Sequence, residues 1–398
     1  MKYVSSLIFY SFFLVFNCIN AQRNIPISGK IIDESGYEIP FAAIGILSKN
    51  IGTTSTEDGT FNFQISPNEL SDTLIVSSLG FHNYKLSISD FNFNIENIIV
   101  LKEKTTSLKE VIVNSTSYYV REAQKKLRDN TIHKNHELHI LYRRWSVEDN
   151  ICRFLIEQSI KAIDRGPSSF LKKFSIENGR TSADYRFIKN EQKLHALKYM
   201  EYNNPLRKGI NINSYKWETI GDSSYDNEDV IIVHGAIVGR ENITLYIGLD
   251  SFKIYRLEME KKPQIGKSLS AIYIYKNNTD NKLYLSYHQR EWKGSSKLPE
   301  NVRRAMISAS KKPPVFVPIA YRHEVYVLDL TENKSQFSKE ESVSNLDMSK
   351  YSSTYDKAFW ESLSIPPKTE FYIKNVKELE GIYGVSLEDQ FKFANIIK

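Results

Sequence analysis

The stretch Ile27-SGKIIDESGYEIPFAAIGI-Leu47 decides how the first part of this 398-residue chain folds. The segment Ile27–Ile32 is predicted to be extended. The residue types at 33–36, Asp-Glu-Ser-Gly, favour a turn, and the apolar run Ile39–Leu47 predicts a second strand. The stretch therefore predicts a strand, a turn and another strand near the start of the chain.

Similar signals continue as far as Leu101. Asp58-Gly59 lies between two extended runs, which is a strong hairpin signal. Further runs with strand character are Thr73–Phe81, Tyr84–Ile88 and Asn97–Leu101, and strands at this spacing predict a sandwich of about seven strands. The residues to which we assign structural roles in turns are Gly29, Gly36, Pro40, Asp58, Gly59 and Gly80.

Asp58 also suggests a calcium loop. Glu57 and Asp58 alone fall short of the oxygen cage that calcium requires, which has about six to eight ligands. A turn-forming role for Asp58 is therefore preferred.

The order G-x-I-x-D, G-x-x-I-P-F-A, G-T-x-x-T-x-D-G-x-F and L-x-V-S-x-L-G-F resembles the carboxypeptidase-like regulatory domain of exported Bacteroidetes proteins. In this chain the four motifs stand at Gly29–Asp33, Gly36–Ala42, Gly52–Phe61 and Leu74–Phe81. The resemblance implies a transthyretin-like, seven-stranded Greek-key β-sandwich that is a non-catalytic appendage. We assign it to residues 22–103.

The first 21 residues, Met1–Ala21, have the layout of a secretory signal peptide. Lys2 precedes an apolar run, Leu7–Phe16, and Ala21 provides a small residue at the cleavage point. The run is too short to span a bilayer, which takes about 20 residues. The alternatives are a retained anchor and a lipidated Cys18, although Asn17 stands where a lipoprotein signal has a small residue. We expect an exported protein of the periplasm or the outer-membrane periphery.

The charge and cysteine content argue against a nucleic-acid-binding protein and against a fold held by internal disulfides. The chain has 53 Lys and Arg against 47 Asp and Glu, and these are interspersed without a long basic run. A clustered basic footprint, which nucleic-acid binding requires, is therefore not expected. Only Cys152 remains after signal cleavage, so no internal disulfide can form, and its apolar neighbours predict a buried thiol rather than a nucleophile.

One match to a zinc-peptidase pattern occurs, at His288-Gln-Arg-Glu291. Metallocarboxypeptidases bind zinc through such a pair and a third histidine. The segment Leu283–Trp292 alternates like a strand, which sends His288 and Glu291 to opposite faces. We expect no catalytic residue, cofactor or metal. The alternative is an uncatalogued hydrolase that uses His288, Glu291 and His323.

Three histidines at steps of three, His133, His136 and His139, form a second candidate metal site. The His-Glu-x-x-His pattern places its two histidines one helical turn apart. Here a strand is predicted from about Leu138, and it would send His136 and His139 to opposite faces. A solvated linker and strand is the preferred interpretation.

Residues 104–116 are predicted to be a linker that contains one short apolar segment, Leu108–Val113. This segment is similar to an element that follows the same sandwich in TonB-dependent receptors. Too few residues follow Val113 for such a transporter barrel, which has about 22 strands. A small outer-membrane β-barrel is kept as an alternative function.

Residues 117–398 are predicted to form an α+β domain with a curved antiparallel sheet. Its first helix is Ser117–Asn130, and Tyr355–Leu363, Thr369–Gly381 and Ser386–Ile397 are predicted as C-terminal helices. Tyr185–Tyr215 is predicted to be polar and partly helical, and Thr331–Lys350 to be a charged loop. The predicted strands are Leu138–Trp145, Ile151–Ile163, Asp229–Ile237, Asn242–Leu249, Phe252–Met259, Ser270–Tyr275, Leu283–Trp292 and Tyr321–Leu330.

The five strands from Asp229 to Trp292 follow one another through short turns, which predicts an antiparallel meander. The strand pair Leu245–Glu258 resembles the curved sheets of lipoprotein-carrier-like periplasmic proteins, and no site residue is carried across with that resemblance. The chain as a whole is therefore predicted to be mainly β.

We expect a non-enzymatic binding or assembly module of the cell envelope. Its partner would be an envelope protein or an apolar ligand, with peripheral outer-membrane association as an option. An apolar concavity would be lined by Leu245–Leu249, Ile254–Leu257 and Ile272–Tyr275. The alternative is that these residues are plain core.

The signal-peptide assignment makes a direct prediction. N-terminal sequencing of the protein purified from cells should begin at Gln22, because the small residue Ala21 ends the signal. A Leu14→Arg change should leave the precursor in the cytoplasm, because it places a charge inside the apolar centre of the signal. A chain that is exported with Met1 still attached would contradict cleavage.

Overall fold

The computed structural model describes residues 24–49, 51–93, 95–104, 115–189, 192–264, 266–309, 312–351 and 355–394. The predicted signal segment Met1–Ala21 and the apolar segment Leu108–Val113 lie outside the described residues. Among those described, no helix has both the length and the apolar character needed to cross a bilayer.

The first region forms two small sheets packed face to face. One has the strand order β4-β1-β7 and the other β3-β2-β5-β6. Isoleucine and phenylalanine side chains that alternate along these strands, such as Ile27, Phe61 and Ile99, fill the space between the sheets. The strands are β1 (Ile25–Asp33), β2 (Ala43–Ile46), β3 (Ile51–Thr54), β4 (Thr60–Ile65), β5 (Thr73–Ser77), β6 (Tyr84–Ser87) and β7 (Asn97–Leu101).

Two details of the opening stretch differ from the sequence prediction. The second strand begins at Ala43 rather than Ile39, because Pro40 and Phe41 form a turn in which Phe41 has a φ of 59°. Gly29 lies inside β1 rather than in a turn. A Cβ at Gly29 would stand 2.4 Å from the backbone oxygen of Asn97, so glycine permits the close approach of β1 and β7.

The remaining assigned turn residues lie in turns. Asp33 begins the first turn, and its Oδ1 accepts a hydrogen bond from the backbone N–H of Ser35 at 2.8 Å. Three of the glycines have the positive φ that turns favour, Gly36 at 86°, Gly59 at 70° and Gly80 at 85°.

The second region is one open antiparallel sheet of ten strands with several helices. Its strand order is β10-β9-β8-β17-β16-β15-β14-β13-β12-β11, so β10 and β11 are its two edges. The strands are β8 (His136–Glu148), β9 (Ile151–Asp164), β10 (Lys173–Thr181), β11 (Lys216–Tyr225), β12 (Glu228–Ile237), β13 (Glu241–Gly248), β14 (Ile254–Gln264), β15 (Lys267–Asn277), β16 (Leu283–Lys297) and β17 (Phe316–Thr331).

The predicted meander is confirmed, since β12 to β16 pair in chain order. The edge strands β10 and β11 were not predicted. Charged and small residues interrupt their alternation, as in KFSIENGRT over Lys173–Thr181. An edge strand needs less apolar surface than a central strand because it has one neighbour instead of two.

The helices are α1 (Thr116–Asn130), α2 (Leu197–Tyr202), α3 (Pro205–Lys208), α4 (Glu300–Ser308), α5 (Lys357–Ser362), α6 (Glu370–Gly381) and α7 (Leu387–Ala394). Short α2 and α3 agree with the partly helical prediction for 185–215. The tail helices lie within the predicted segments. At α7, Ser386 Oγ donates to Asp389 Oδ2 at 2.7 Å and accepts from the Asp389 backbone N–H at 3.2 Å, so the Ser386 side chain caps the start of the helix. Helix α4 was not predicted.

Both faces of the large sheet are covered. The front face, which carries Tyr142, Leu257 and Tyr273, packs under α1, α2 and α3. The back face, which carries Leu141, Tyr287 and Tyr326, packs under the C-terminal helices. The aromatic strands proposed to line a ligand concavity lie in the front-face core: Leu245, Ile247, Leu257 and Tyr273 are each 0 % exposed.

The sandwich rests on the back face of the large sheet. The rings of Phe41 and Tyr287 stack with their centroids 5.0 Å apart. The Gly80 backbone N–H donates to the Ser224 backbone oxygen at 2.8 Å, and the Glu370 N–H at the start of α6 donates to Asp58 Oδ2 at 2.6 Å. Asp58 therefore joins the hairpin of the sandwich to a helix near the other end of the chain.

Two glycines with nearly equal φ give a matched test of the fold. Gly166 has a φ of 80°, and a Cβ there would lie 1.7 Å from the Ile132 oxygen; Gly209 has a φ of 85° and nothing within 4 Å. Gly209→Ala should lower the free energy of unfolding by about 1 kcal/mol through backbone strain alone, and Gly166→Ala by more than about 2 kcal/mol. Urea unfolding of both variants measures the difference. Equal losses would contradict the packing around Gly166.

Candidate functional site

Buried polar side chains gather on the front face where β8, β16 and β17 lie side by side. Strand alternation brings them together, since Arg290 pairs with His323 in the β16–β17 register and His323 pairs with Arg144 across β17 and β8. His288, two residues before Arg290, shares this face. These residues are covered by the segment 192–208 and by the loop around Asp347.

A histidine pair stands at the centre of this cluster. His195 Nδ1 lies 2.9 Å from His323 Nε2, and the two side chains belong to residues that are 1 % and 3 % exposed. Burial, together with the positive charge of Arg144, holds the pKa of both imidazoles well below the usual 6.5. Both rings are therefore neutral near pH 7.

His288 belongs to a second, charged group. Its Nε2 lies 2.6 Å from Glu201 Oε1, and Arg207 Nη2 forms an ion pair with Glu201 Oε2 at 3.1 Å. Arg207 also forms a two-pronged contact with Asp164, at 2.8 and 2.9 Å. Burial acts to raise the pKa of Glu201, but His288 and Arg207 outweigh it and hold that pKa below its usual value. The group is a buried network in which each carboxylate contacts a basic side chain.

Arg144 anchors the loop that was predicted as a charged, Ser-rich segment. Its Nη1 donates to Asp347 Oδ1 at 2.8 Å, and Arg144 is 0 % exposed. Burial acts to raise the pKa of the Asp347 carboxyl, but the positive charge of Arg144 outweighs it and holds that pKa below its usual value. The next residue, Met348, is buried in the front-face core. This loop is thus part of the cover over the front face.

The hydrolase set proposed from the sequence does not converge. His288 and His323 share the front face, but each has a different partner, Glu201 and His195. Glu291 lies on the back face, where its Oε2 is 2.6 Å from Lys293 Nζ. Within the described residues, no group of three or more His, Cys, Asp or Glu side chains is arranged to hold a metal ion.

The other candidate residues also have structural partners. His136 lies 3.8 Å from Asp164, whereas His139 contacts Ser159 at 2.8 Å and Glu177 at 3.0 Å, so the two histidines face opposite ways as predicted. Cys152 is 0 % exposed, and burial raises the pKa of its thiol to about 12. A thiol in that state is not a nucleophile near neutral pH.

A cavity of about 580 Å³ lies beside the front-face cluster. It is formed by the end of β10, the segment 182–189, the loop 347–350 and α7. Its apolar lining includes Phe154, Tyr185, Val385 and Phe393, and its charged lining consists of Asp184, Arg186, Lys189, Asp347 and Lys350.

The charges around this cavity leave a positive rim. Asp184 is occupied by Arg186 through two contacts of 2.8 Å each, and Asp347 is occupied by the buried Arg144. Lys189 and Lys350 are exposed, and Lys189 Nζ donates to the Asp184 backbone oxygen at 2.9 Å. The cavity therefore combines apolar walls with two cations at its mouth. Sequence reasoning missed it because its four segments are distant in sequence and none carries a recognisable motif.

The back face carries a chain of alternating charges that ends on the sandwich, here called the back-face charge chain. Its members in order are Arg180, Glu157, Arg143, Glu324, Arg322 and Glu57, with successive N–O distances of 2.7, 2.7, 3.4, 2.8 and 2.7 Å. Glu157 is 0 % exposed; burial raises its pKa, but the two arginines hold it below its usual value. The chain couples the sandwich electrostatically to the edge strand β10.

Comparison with known proteins identifies the first region. A family model for the CarboxypepD_reg-like domain matches residues 27–113. A CarboxypepD_reg-like domain therefore occupies this part of the chain, in agreement with the resemblance noted from the sequence. The match runs past the predicted boundary at Glu103 and includes the apolar segment Leu108–Val113. No curated protein sequence matches the chain.

Solved structures with similar arrangements cover somewhat more than half of this chain. A domain named for outer membrane lipoprotein sorting, from Vibrio parahaemolyticus, is 9 % identical over 56 % of this chain and 94 % of its own, with a TM-score of 0.29. A LolA superfamily protein from Nitrosomonas europaea is 12 % identical over 57 % and 99 %, with a TM-score of 0.26. A DUF1329 family protein from Desulfovibrio piger is 10 % identical over 56 % and 96 %, with a TM-score of 0.26. These values are too low to transfer a function.

The buried histidine pair predicts a pH dependence of stability. Unfolded imidazoles take up protons below about pH 6.5 while His195 and His323 resist protonation, so stability is complete above that pH and falls below it. Between about pH 7.5 and about pH 5.5 each histidine should remove about 1 kcal/mol from the free energy of unfolding.

The measurement is urea unfolding at both pH values for His195→Gln and His323→Gln. Each variant should lose about 1 kcal/mol of the pH-dependent change. The matched control is His82→Gln, an exposed histidine of the sandwich, which should leave the pH dependence unchanged. If the free energy of unfolding of both histidine variants changes with pH as much as that of the wild type, these histidines bind protons equally well in the folded and the unfolded protein, and the prediction is wrong.

Proposed function

We propose that this protein is a non-enzymatic binding protein of the cell envelope. Its second domain holds an amphipathic ligand with an anionic group in the cavity beside β10, and the CarboxypepD_reg-like domain is a docked, non-catalytic module. The observation that carries the proposal is the cavity itself, which pairs apolar walls with the exposed Lys189 and Lys350.

The size and chemistry of the cavity suit such a ligand. Ligand pockets in proteins have volumes of about 300–1,000 Å³ and are lined mostly by apolar side chains with a few polar groups that set orientation. The value of about 580 Å³ lies within that range. Phe154 and Val385 would contact the apolar part of the ligand, and the two lysines would contact its anionic group at the mouth.

The state of the acidic and basic residues supports binding over catalysis. A general acid or base has to reach a substrate with a free proton-transfer position. Glu201, His288 and His323 are instead engaged with buried partners. The export part of the proposal rests on the signal-peptide layout of Met1–Ala21, and we place the protein in the periplasm or at the outer-membrane periphery.

The proposal predicts charge-selective binding. Dansyl-labelled undecanoate should bind saturably with one site per chain, and a probe of the same length that ends in trimethylammonium should bind much more weakly. Lys189→Glu/Lys350→Glu should weaken undecanoate binding by at least about tenfold, since reversing two rim charges repels the carboxylate by more than about 1.4 kcal/mol. Fluorescence titration measures both affinities.

Two further variants complete this experiment. Ala183→Trp fills the cavity and should abolish binding of the probe, whereas Lys334→Glu/Lys339→Glu changes the same number of exposed lysines outside the lining and should have no effect. Equal binding of the anionic and cationic probes, or full binding by Ala183→Trp, would rule out this cavity as the site.

A further inference from the structure

The hairpin formed by β16 and β17 extends beyond the rest of the large sheet. Strand β15 pairs with β16 only as far as Lys293, and β8 pairs with β17 only from Ile319 onward. Beyond these points Ser295–Lys297 pair with Phe316–Pro318, and a further backbone contact is the Asp149 N–H, which donates to the Pro318 oxygen at 2.9 Å. Helix α4 lies between the two strands in the chain, so α4 and the hairpin end form a projecting tip, described over residues 294–309 and 312–318.

The tip has its own small core. Val302 and Met306, one turn apart on α4, pack against Leu298, Val317 and Ile319. This contact fixes α4 on the hairpin and determines which of its residues point outward. Phe187 and Ile188, which directly follow Arg186 in the wall of the cavity, pack against the same core. The tip is thereby a fixed structure connected to the cavity segment.

Three large apolar side chains on the tip remain uncovered. Ile307 is 56 %, Val315 49 % and Phe316 60 % exposed. Single exposed apolar residues are ordinary on a protein surface. Here three occur within ten positions of the chain at the end of a projecting hairpin, and an exposed apolar group of this kind marks an interaction surface.

Positive charges surround these apolar side chains. Among the described residues of 297–318 the cations are Lys297, Arg303, Arg304 and Lys312, and Glu300 is the one carboxylate. Glu300 contacts both arginines, at 3.0 Å to Arg303 and 3.4 Å to Arg304. Lys311 lies outside the described residues, and with it the sequence 294–318 has five cations and one carboxylate, a net positive charge of four next to the exposed apolar residues.

We infer that this tip docks on the surface of an anionic phospholipid bilayer. Apolar side chains of a membrane-bound surface enter the boundary between headgroups and acyl chains, while lysine and arginine contact the phosphates. The tip offers both kinds of side chain at the end of a projection, which a planar bilayer can meet without a complementary groove. Docking does not require a ligand in the cavity, so it is independent of the proposed function.

The test is co-sedimentation of the full chain with vesicles. Phosphatidylcholine vesicles that contain phosphatidylglycerol should bind the protein, vesicles of phosphatidylcholine alone should bind it at least about tenfold more weakly, and added salt should release it. Ile307→Ser/Phe316→Ser and Arg304→Glu/Lys312→Glu should each weaken binding to the anionic vesicles by at least about tenfold.

The control is Lys334→Glu/Lys339→Glu, which makes the same charge change on exposed residues outside the tip and should bind like the wild type. Because all four tip positions are exposed, the variants should retain the wild-type urea midpoint, which is measured in parallel. Absence of binding to anionic vesicles, or binding that the tip variants leave unchanged, would overturn the inference. If an acidic protein is the true partner, the vesicle experiment gives the first of these results.

Discussion

Charged side chains are buried on both faces of the ten-stranded sheet and need partners of opposite charge inside the protein. This constraint determines where the covering segments lie. An unpaired buried charge costs several kcal/mol, whereas a paired one is tolerated. On the back face the charge chain from Arg180 to Glu57 meets this requirement across four neighbouring strands and the sandwich. On the front face Arg207 pairs with both Asp164 and Glu201, His288 also contacts Glu201, and Arg144 pairs with Asp347. The segments that cover the sheet are held at positions where these pairs form.

The cavity follows from the same arrangement. Asp347 can line the cavity only because Arg144 holds its loop against the front face. Asp184 and Arg186 fix the opposite wall by pairing with each other. With these charges matched internally, the lysines at the mouth are left to define its electrostatic character. The walls are thus shaped by the fold, whereas the proposed charge selectivity of the cavity would depend on the two exposed lysines.

The sequence was informative where structure is local and uninformative where it is not. Alternation and turn residues predicted the meander from Asp229 to Trp292, and a period of two correctly separated His288 from Glu291 and His136 from His139. The partners of these residues could not be predicted, since His288 meets Glu201 from 87 positions away and Arg144 meets Asp347 from 203 positions away. Gly29 was assigned to a turn because glycine is common in turns, but its role is to let two backbones approach.

The contact between Asp58 and Glu370 joins residues 312 positions apart. A ribosome delivers the N-terminal hairpin long before the helix that completes this contact. Until then, Asp58 and Glu57 lack their partners, and the surface around Phe41 that later meets Tyr287 is open to solvent. Long-range closures of this kind slow folding, because loop entropy is lost before the contact repays it. The sandwich can therefore acquire its own core early, but the two halves of the protein become one body only after nearly the whole chain has emerged, and nascent chains would need protection from premature association during that interval.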